Sequence, residues 1–185
     1  MLCALVIGHK KTSPGAENPT SKLNEFTFND ALSIDIEKRV KGVKVQRVYR
    51  RTYKSLPDDI NELNPDFIIS LHCNAFNESA SGTEVLYYHR SFKGKKIAKI
   101  LNRQLVDALG LKNRGIKPRT SEDRGGYLLR NTKAPCLIAE PFFIDNDKDL
   151  ETALKNRNEL INAYVEAIDE MASLLKSRTP DIPKK

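Results

Sequence analysis

Four residues of this chain are placed where they could handle a metal and a proton. The apolar run Leu2 to Ile7 ends in Gly8-His9, the run Asp66 to His72 ends in a second histidine, and the run Pro135 to Glu140 ends in a carboxylate. A further acid, Glu25, lies in the first turn of a helical stretch just after the loop that follows His9. Two imidazoles and one carboxylate make a catalytic zinc set whose fourth position stays open to water, and His9, Glu25 and His72 supply it. One Zn²⁺ per chain is expected there. A dication lowers the pKa of bound water to ~7 and polarises a carbonyl. A second carboxylate, off the metal, must then carry the proton from water to the leaving nitrogen. Glu140 fits that role, and desolvation at the end of a buried strand would raise its pKa.

Each residue also has a structural reading. A histidine can simply be satisfied in a core, and glutamate in a first helical turn complements the macrodipole. His89, beside Arg90, reads as surface. No HExxH helix, GxSxG elbow or phosphate-binding glycine loop occurs, and Gly125-Gly126 reads as a turn.

The elements that must position these residues alternate. Leu2 to Ile7 has the length and apolarity of a strand. Phe28, Leu32, Ile36 and Val40 recur at four-residue steps, giving a helix from about Ser21, with Ser21 as N-cap and Gly42 as its stop. Val43, Val45 and Val48 mark a β-branched strand. Pro57 to Leu63 is a short helix with proline at its start. Asp66 to His72 reads as a strand covered on both faces, and Thr83 to Tyr88 as a strand nearer an edge. Ser91 to Leu109 is an amphipathic helix ended by Gly110. Asn113 to Gly126 reads as a loop, Pro135 to Glu140 as another buried strand, and Asp147 to Leu175 as a final helix. Such alternation means a single α/β domain with a mostly parallel sheet, whose ligands gather beyond the carboxyl ends of the strands. The domain spans residues 1–176, and 177–185, with two prolines, reads as a flexible tail or the start of a linker.

Composition narrows the class. With 185 residues, 39% hydrophobic and 30% charged, the chain is long enough for one full core. No apolar run approaches the ~18–20 residues of a membrane span, so no stable membrane insertion is expected. Met1 to Gly8 lacks the basic flank and cleavage site of a signal peptide. Cys3, Cys73 and Cys136 lie inside apolar runs and read as buried thiols, with Cys73 pointing to the face opposite His72. The net charge of +7 favours an anionic polymer. Basic residues are not interleaved with aromatics, so no nucleic acid partner is expected.

The motifs, in order, resemble a known family. VIGHK (Val6 to Lys10), NEFTFN (Asn24 to Asn29), SLHCNA (Ser70 to Ala75), GTEVLYY (Gly82 to Tyr88), NRGIK (Asn113 to Lys117) and LLRNTKAPCLIAEPFFIDNDKD (Leu128 to Asp149) are similar to those of the zinc-dependent N-acetylmuramoyl-L-alanine amidases, in particular phage endolysin catalytic domains. The resemblance implies zinc on His9, Glu25 and His72, Glu140 as catalytic acid/base, and a twisted sheet of about six strands flanked by helices. It implies peptidoglycan as substrate, cut between N-acetylmuramic acid and L-alanine. Asn74 matches a recurrent position that supports either the metal ligands from behind or the substrate. A phage enzyme of this kind would wait in the host cytoplasm and reach the wall when the membrane is perforated. The chain departs from the pattern in GHKK, where relatives carry GHGG, and in Pro141. The competing readings are a zinc peptidase of cell-wall peptides and a binding module with a structural metal site.

Overall fold

The computed structural model describes residues 1–177. A six-stranded sheet carries β1 (Leu2–Ile7), β2 (Lys44–Tyr49), β3 (Phe67–Leu71), β4 (Thr83–Tyr88), β5 (Asn113–Arg119) and β6 (Cys136–Glu140), in the order β2-β1-β3-β6-β4-β5. All neighbouring pairs are parallel except β4 with β6. The helices are α1 (Glu25–Arg39), α2 (Leu56–Glu62), α3 (Phe92–Leu109), α4 (Gly126–Asn131), α5 (Asp147–Lys155) and α6 (Arg157–Lys176). The expected single α/β domain with a mostly parallel sheet is what the chain forms.

Strand alternation divides the core into two layers. Leu5, Ile69, Leu71 and Leu137 pack on one face with apolar residues of α1, α3, α5 and α6, around the buried Phe67, Phe142 and Tyr164. Ala4, Val6, Ile68 and Ile138 face the other way, under the shorter α2 and α4. The thin second layer leaves part of that face open toward the carboxyl ends of β1, β3 and β6.

Several local expectations are corrected. The N-cap of α1 is Asn24, which accepts from the Thr27 amide, and not Ser21. The Ser21 amide and hydroxyl both donate to Asn18 Oδ1, which folds Ser21 into the preceding loop. The helix ends at Arg39 because Val40 is already extended, so Gly42 is not its stop. β4 does lie near an edge, as expected, between β6 and the edge strand β5. It is β5 that departs from expectation, in the stretch expected to be a loop. Its polar residues, Gly115 and Pro118 suppress a strand signal, yet an edge strand pairs on one side only and tolerates proline. Gly125-Gly126 is more than a turn, since Gly126 opens α4. The last helix is two, α5 and α6, broken at Asn156 (φ −98°, ψ 32°). Of the expected tail, 178–185 lies outside the described residues.

Candidate active site

Because β1, β3 and β6 run parallel and adjacent, their carboxyl ends deliver His9, His72 and Glu140 to one edge of the sheet. His9 adopts φ 66°. This left-handed backbone is uncommon for a non-glycine residue and is found where a site demands it. The chain then turns through Lys10 and Ser13, which exchange backbone hydrogen bonds. It is anchored further on by Asn18, wholly buried, whose amide donates to the Ile144 carbonyl and to Asp147. This loop returns to α1, whose first residue is Glu25.

Glu25 is fully buried, an arrangement that needs compensation at both oxygens. The Ala16 amide donates to Oε1 at 3.1 Å and the Cys73 amide to Oε2 at 3.2 Å. His9 Nε2 and His72 Nδ1 each lie 3.3 Å from Oε2. Burial by itself would raise this carboxyl, but the two imidazoles outweigh it and hold Glu25 well below the usual carboxylate range. His72 moves down as well, through desolvation opposed by Glu25.

One ligand atom from each of His9, Glu25 and His72 lies within 4.8 Å of the others. Two imidazoles and a carboxylate are the donor types a divalent zinc selects. His9 Nε2 is buried with no hydrogen-bond partner, a cost a metal would relieve. The residues present therefore fit the ion. Two glycines make the close packing possible. A Cβ at Gly8 would meet the His72 ring at 2.7 and 2.8 Å, and one at Gly15 would meet the His9 ring at 2.7 to 2.9 Å. The Gly8 signal was present in the sequence as Gly-His; that of Gly15 depends on the return of the loop and had none.

A cleft of about 540 Å³ opens beside the three ligand atoms and runs over the thinly covered face of the sheet. Glu140 lines it with His9, His72 and Asn74. Its Oε2 is buried and has no hydrogen-bond partner. Desolvation, then repulsion from Glu25, pushes this carboxyl well above its ordinary value, against attraction from Arg124 and Arg119. Its cross-strand neighbour on β4 is another carboxylate, Glu84, which also raises it. Glu84 is itself engaged by Arg114 Nε at 2.8 Å and by the Asn74 side chain at 3.0 Å. The Asn74 amide oxygen accepts from the Ala75 N–H at 3.1 Å. Asn74 thus borders the cleft with a side chain whose orientation is set by Glu84, a contact not foreseen from sequence.

Residues 3–170 match the family model described as N-acetylmuramoyl-L-alanine amidase. The chain belongs to the N-acetylmuramoyl-L-alanine amidase family. Among solved structures, it is similar to an N-acetylmuramoyl-L-alanine amidase from Clostridium difficile 630, with a TM-score of 0.82 at 21% identity over 96% of this chain and 97% of that one. It is similar also to the catalytic domain of the CD27L endolysin targeting Clostridia difficile, with a TM-score of 0.77 at 28% identity over 92% and 97% of the two chains. Among curated relatives, the endolysin of Bacillus phage SPP1 is 31% identical over 130 residues, covering 68% of this chain and 47% of that protein. The probable cell wall amidase LytH of Staphylococcus aureus is 30% identical over 156 residues, 81% of this chain and 50% of that protein. The chain spans half or less of the length of the curated relatives it matches.

His89 is exposed, as expected. The three cysteines are free and buried. Cys73 packs in the larger core layer, away from the cleft. Among the described residues, no helix is long and apolar enough to cross a membrane.

Proposed function

We propose that this chain hydrolyses the amide bond between N-acetylmuramic acid and L-alanine in peptidoglycan, with His9, Glu25 and His72 holding one zinc ion and Glu140 moving the proton. The observation that carries this reading is the convergence of two imidazoles and a buried carboxylate beside a cleft that also exposes an unpartnered, desolvated Glu140. Zinc bound there supplies a water made acidic and a carbonyl made electrophilic.

The rest falls to the chain. Glu25 stays ionised despite its burial and fixes the spacing of the two rings. Gly8 and Gly15 let those rings approach the backbone. Glu140 accepts a proton from the attacking water and passes it to the alanine nitrogen as the carbon–nitrogen bond breaks and the carbon–oxygen bond forms. A carboxyl pushed above its ordinary value is suited to both halves of that exchange, since it holds the proton long enough to return it. Asn74, oriented by Glu84, is a donor available to the substrate, and its role is support and not proton transfer.

We infer further that the substrate is reached at the cell wall, and that the catalytic unit serves host lysis by a phage. Likeness to two endolysins supports this. The net charge of +7 favours approach to an anionic wall at a strength that salt screens.

Digestion of purified peptidoglycan by the zinc-loaded protein tests the reaction. New alanine amino termini without new reducing sugars, abolished by a chelator and restored by zinc, are expected. New amino termini on other residues would make the protein a peptidase. A His72→Ala variant that still held one zinc per chain would contradict the ligand set.

A further inference from the structure

The cleft does not end at Glu140. Ser70, Ile138 and Leu86 share a sheet face with it and form a floor that leads to the far end of β4 and β5. There Arg119 stands across from Tyr88 at the end of β5, and the turn that follows brings Arg124 over the same opening. Arg119 Nε is buried with no hydrogen-bond partner. Neither guanidinium makes an ion pair among the described residues. Two acids lie beside them, but both are engaged within their own turn: Asp123 Oδ2 accepts from the Thr120 amide and hydroxyl, and Glu122 Oε1 from the Ser121 hydroxyl.

A buried guanidinium N–H without an acceptor is costly, and a site that keeps one is built for a ligand to complete. Guanidinium groups select planar anions, above all carboxylates. The side of the substrate follows from Glu140. The proton it carries goes to the alanine nitrogen, so the leaving peptide begins beside Glu140. Arg119 and Arg124 both lie within electrostatic reach of that carboxyl. The N-acetylated sugars of the glycan are neutral, whereas the peptide carries carboxylates.

We propose that Arg119 and Arg124 form a carboxylate-binding wall for the leaving peptide, so that a stem whose residue after alanine keeps a free carboxylate is preferred to one in which it is amidated. This rests on the amidase reading. It gives the cleft a means of telling wall chemistries apart at a point remote from the scissile bond.

Two synthetic muramoyl peptides decide it, N-acetylmuramoyl-L-alanyl-γ-D-glutamyl-L-lysine amide, in which the γ-carboxyl of the glutamate is already in peptide linkage and its α-carboxyl is free, and the same compound with that α-carboxyl amidated. With the zinc-loaded protein, kcat/KM is expected to favour the free acid on the order of 10-fold or more, mostly through KM. The preference should fall toward unity in Arg119→Ala and decrease in Arg124→Ala, while Arg119→Lys keeps part of it because charge remains and the planar fork is lost. Arg124 is exposed, so its variant reports even if Arg119→Ala does not fold. Equal rates on the two compounds, or a preference untouched in both alanine variants, would overturn the wall and leave the amidase reading standing. Cleavage of neither compound would overturn that reading and the wall with it.

Discussion

Gly8→Ala is the sharpest perturbation of the site, because it adds one methyl group and replaces none of the candidate ligands. The new Cβ would lie 2.7 Å from Cε1 and 2.8 Å from Nδ1 of His72, whereas ordinary contact begins at 3.4 Å. It would also press on the Leu71 carbonyl, which already accepts the Gly8 amide at 2.9 Å. That hydrogen bond ties the carboxyl ends of β1 and β3, so the backbone has little freedom to retreat. The ring must then move by roughly 0.7 Å, several times the ~0.2 Å tolerance of a metal–ligand distance. Zinc affinity should fall about 10- to 100-fold, the range seen when a ligand loses its orienting contact. Overpacking should cost about 1–3 kcal/mol, which lowers Tm by roughly 2 to 12 °C in a chain of this size. Calorimetric titration of the metal-free protein with zinc, alongside thermal unfolding, measures both. Gly42→Ala is the control, since its Cβ meets only the movable Asp169 side chain, and zinc affinity should be unchanged. A Gly8→Ala protein that binds zinc within threefold of the parent and melts at the same temperature would refute the close-packing account of His72.

Three further outcomes follow from the carboxylates. Glu140→Gln keeps the shape of the side chain but cannot shuttle a proton, so activity should drop by about 10²-fold or more. The folded-state pKa of Glu140 is raised, so the favourable contribution of its protonated form is lost as pH rises through that value. The glutamine variant should then melt higher than the parent at neutral pH when both are metal-free, and a lower melting temperature would contradict the desolvation of Glu140. Glu25 is the opposite case. Its folded-state pKa lies below the ordinary 4.5, so the unfolded chain binds the proton first and stability is lost as pH falls below about 4.5. Acid titration of metal-free Glu25→Gln should show a flatter fall of stability in that range than the parent, and superimposable curves would dismiss the imidazole–carboxylate coupling.

The sequence alone determined much of this molecule. Apolar runs of strand length between amphipathic stretches dictate an α/β layer structure, because each element must bury one face and only alternation of this kind buries them all. A histidine or glutamate closing such a run is conspicuous, since nothing in a buried strand calls for a charged or titratable end. His9, His72 and Glu140 were legible for that reason; Glu25 stood out less, because a glutamate in a first helical turn also suits the macrodipole, and the ordered set of motifs strengthened it. The edge strand β5 was not legible, because one-sided pairing places little demand on side chains and leaves polar residues, Gly115 and Pro118 in a regular strand. The break at Asn156 between α5 and α6 has no glycine or proline to announce it.

Only the tertiary structure decided what each candidate touches. It was the parallel order of β1, β3 and β6 that gathered three distant strand ends at one edge, and the loop anchored by Asn18 that carried Glu25 between the rings. The two rings that hold Glu25 ionised against its burial, and the desolvation that lifts Glu140, also belong to the fold. The hold of Glu84 on Asn74, and the reach of Arg119 and Arg124 over the cleft, depend on register and long side chains. Residue type announces what chemistry a side chain can do, but the distances and desolvation that select one role come from parts of the chain tens of residues away.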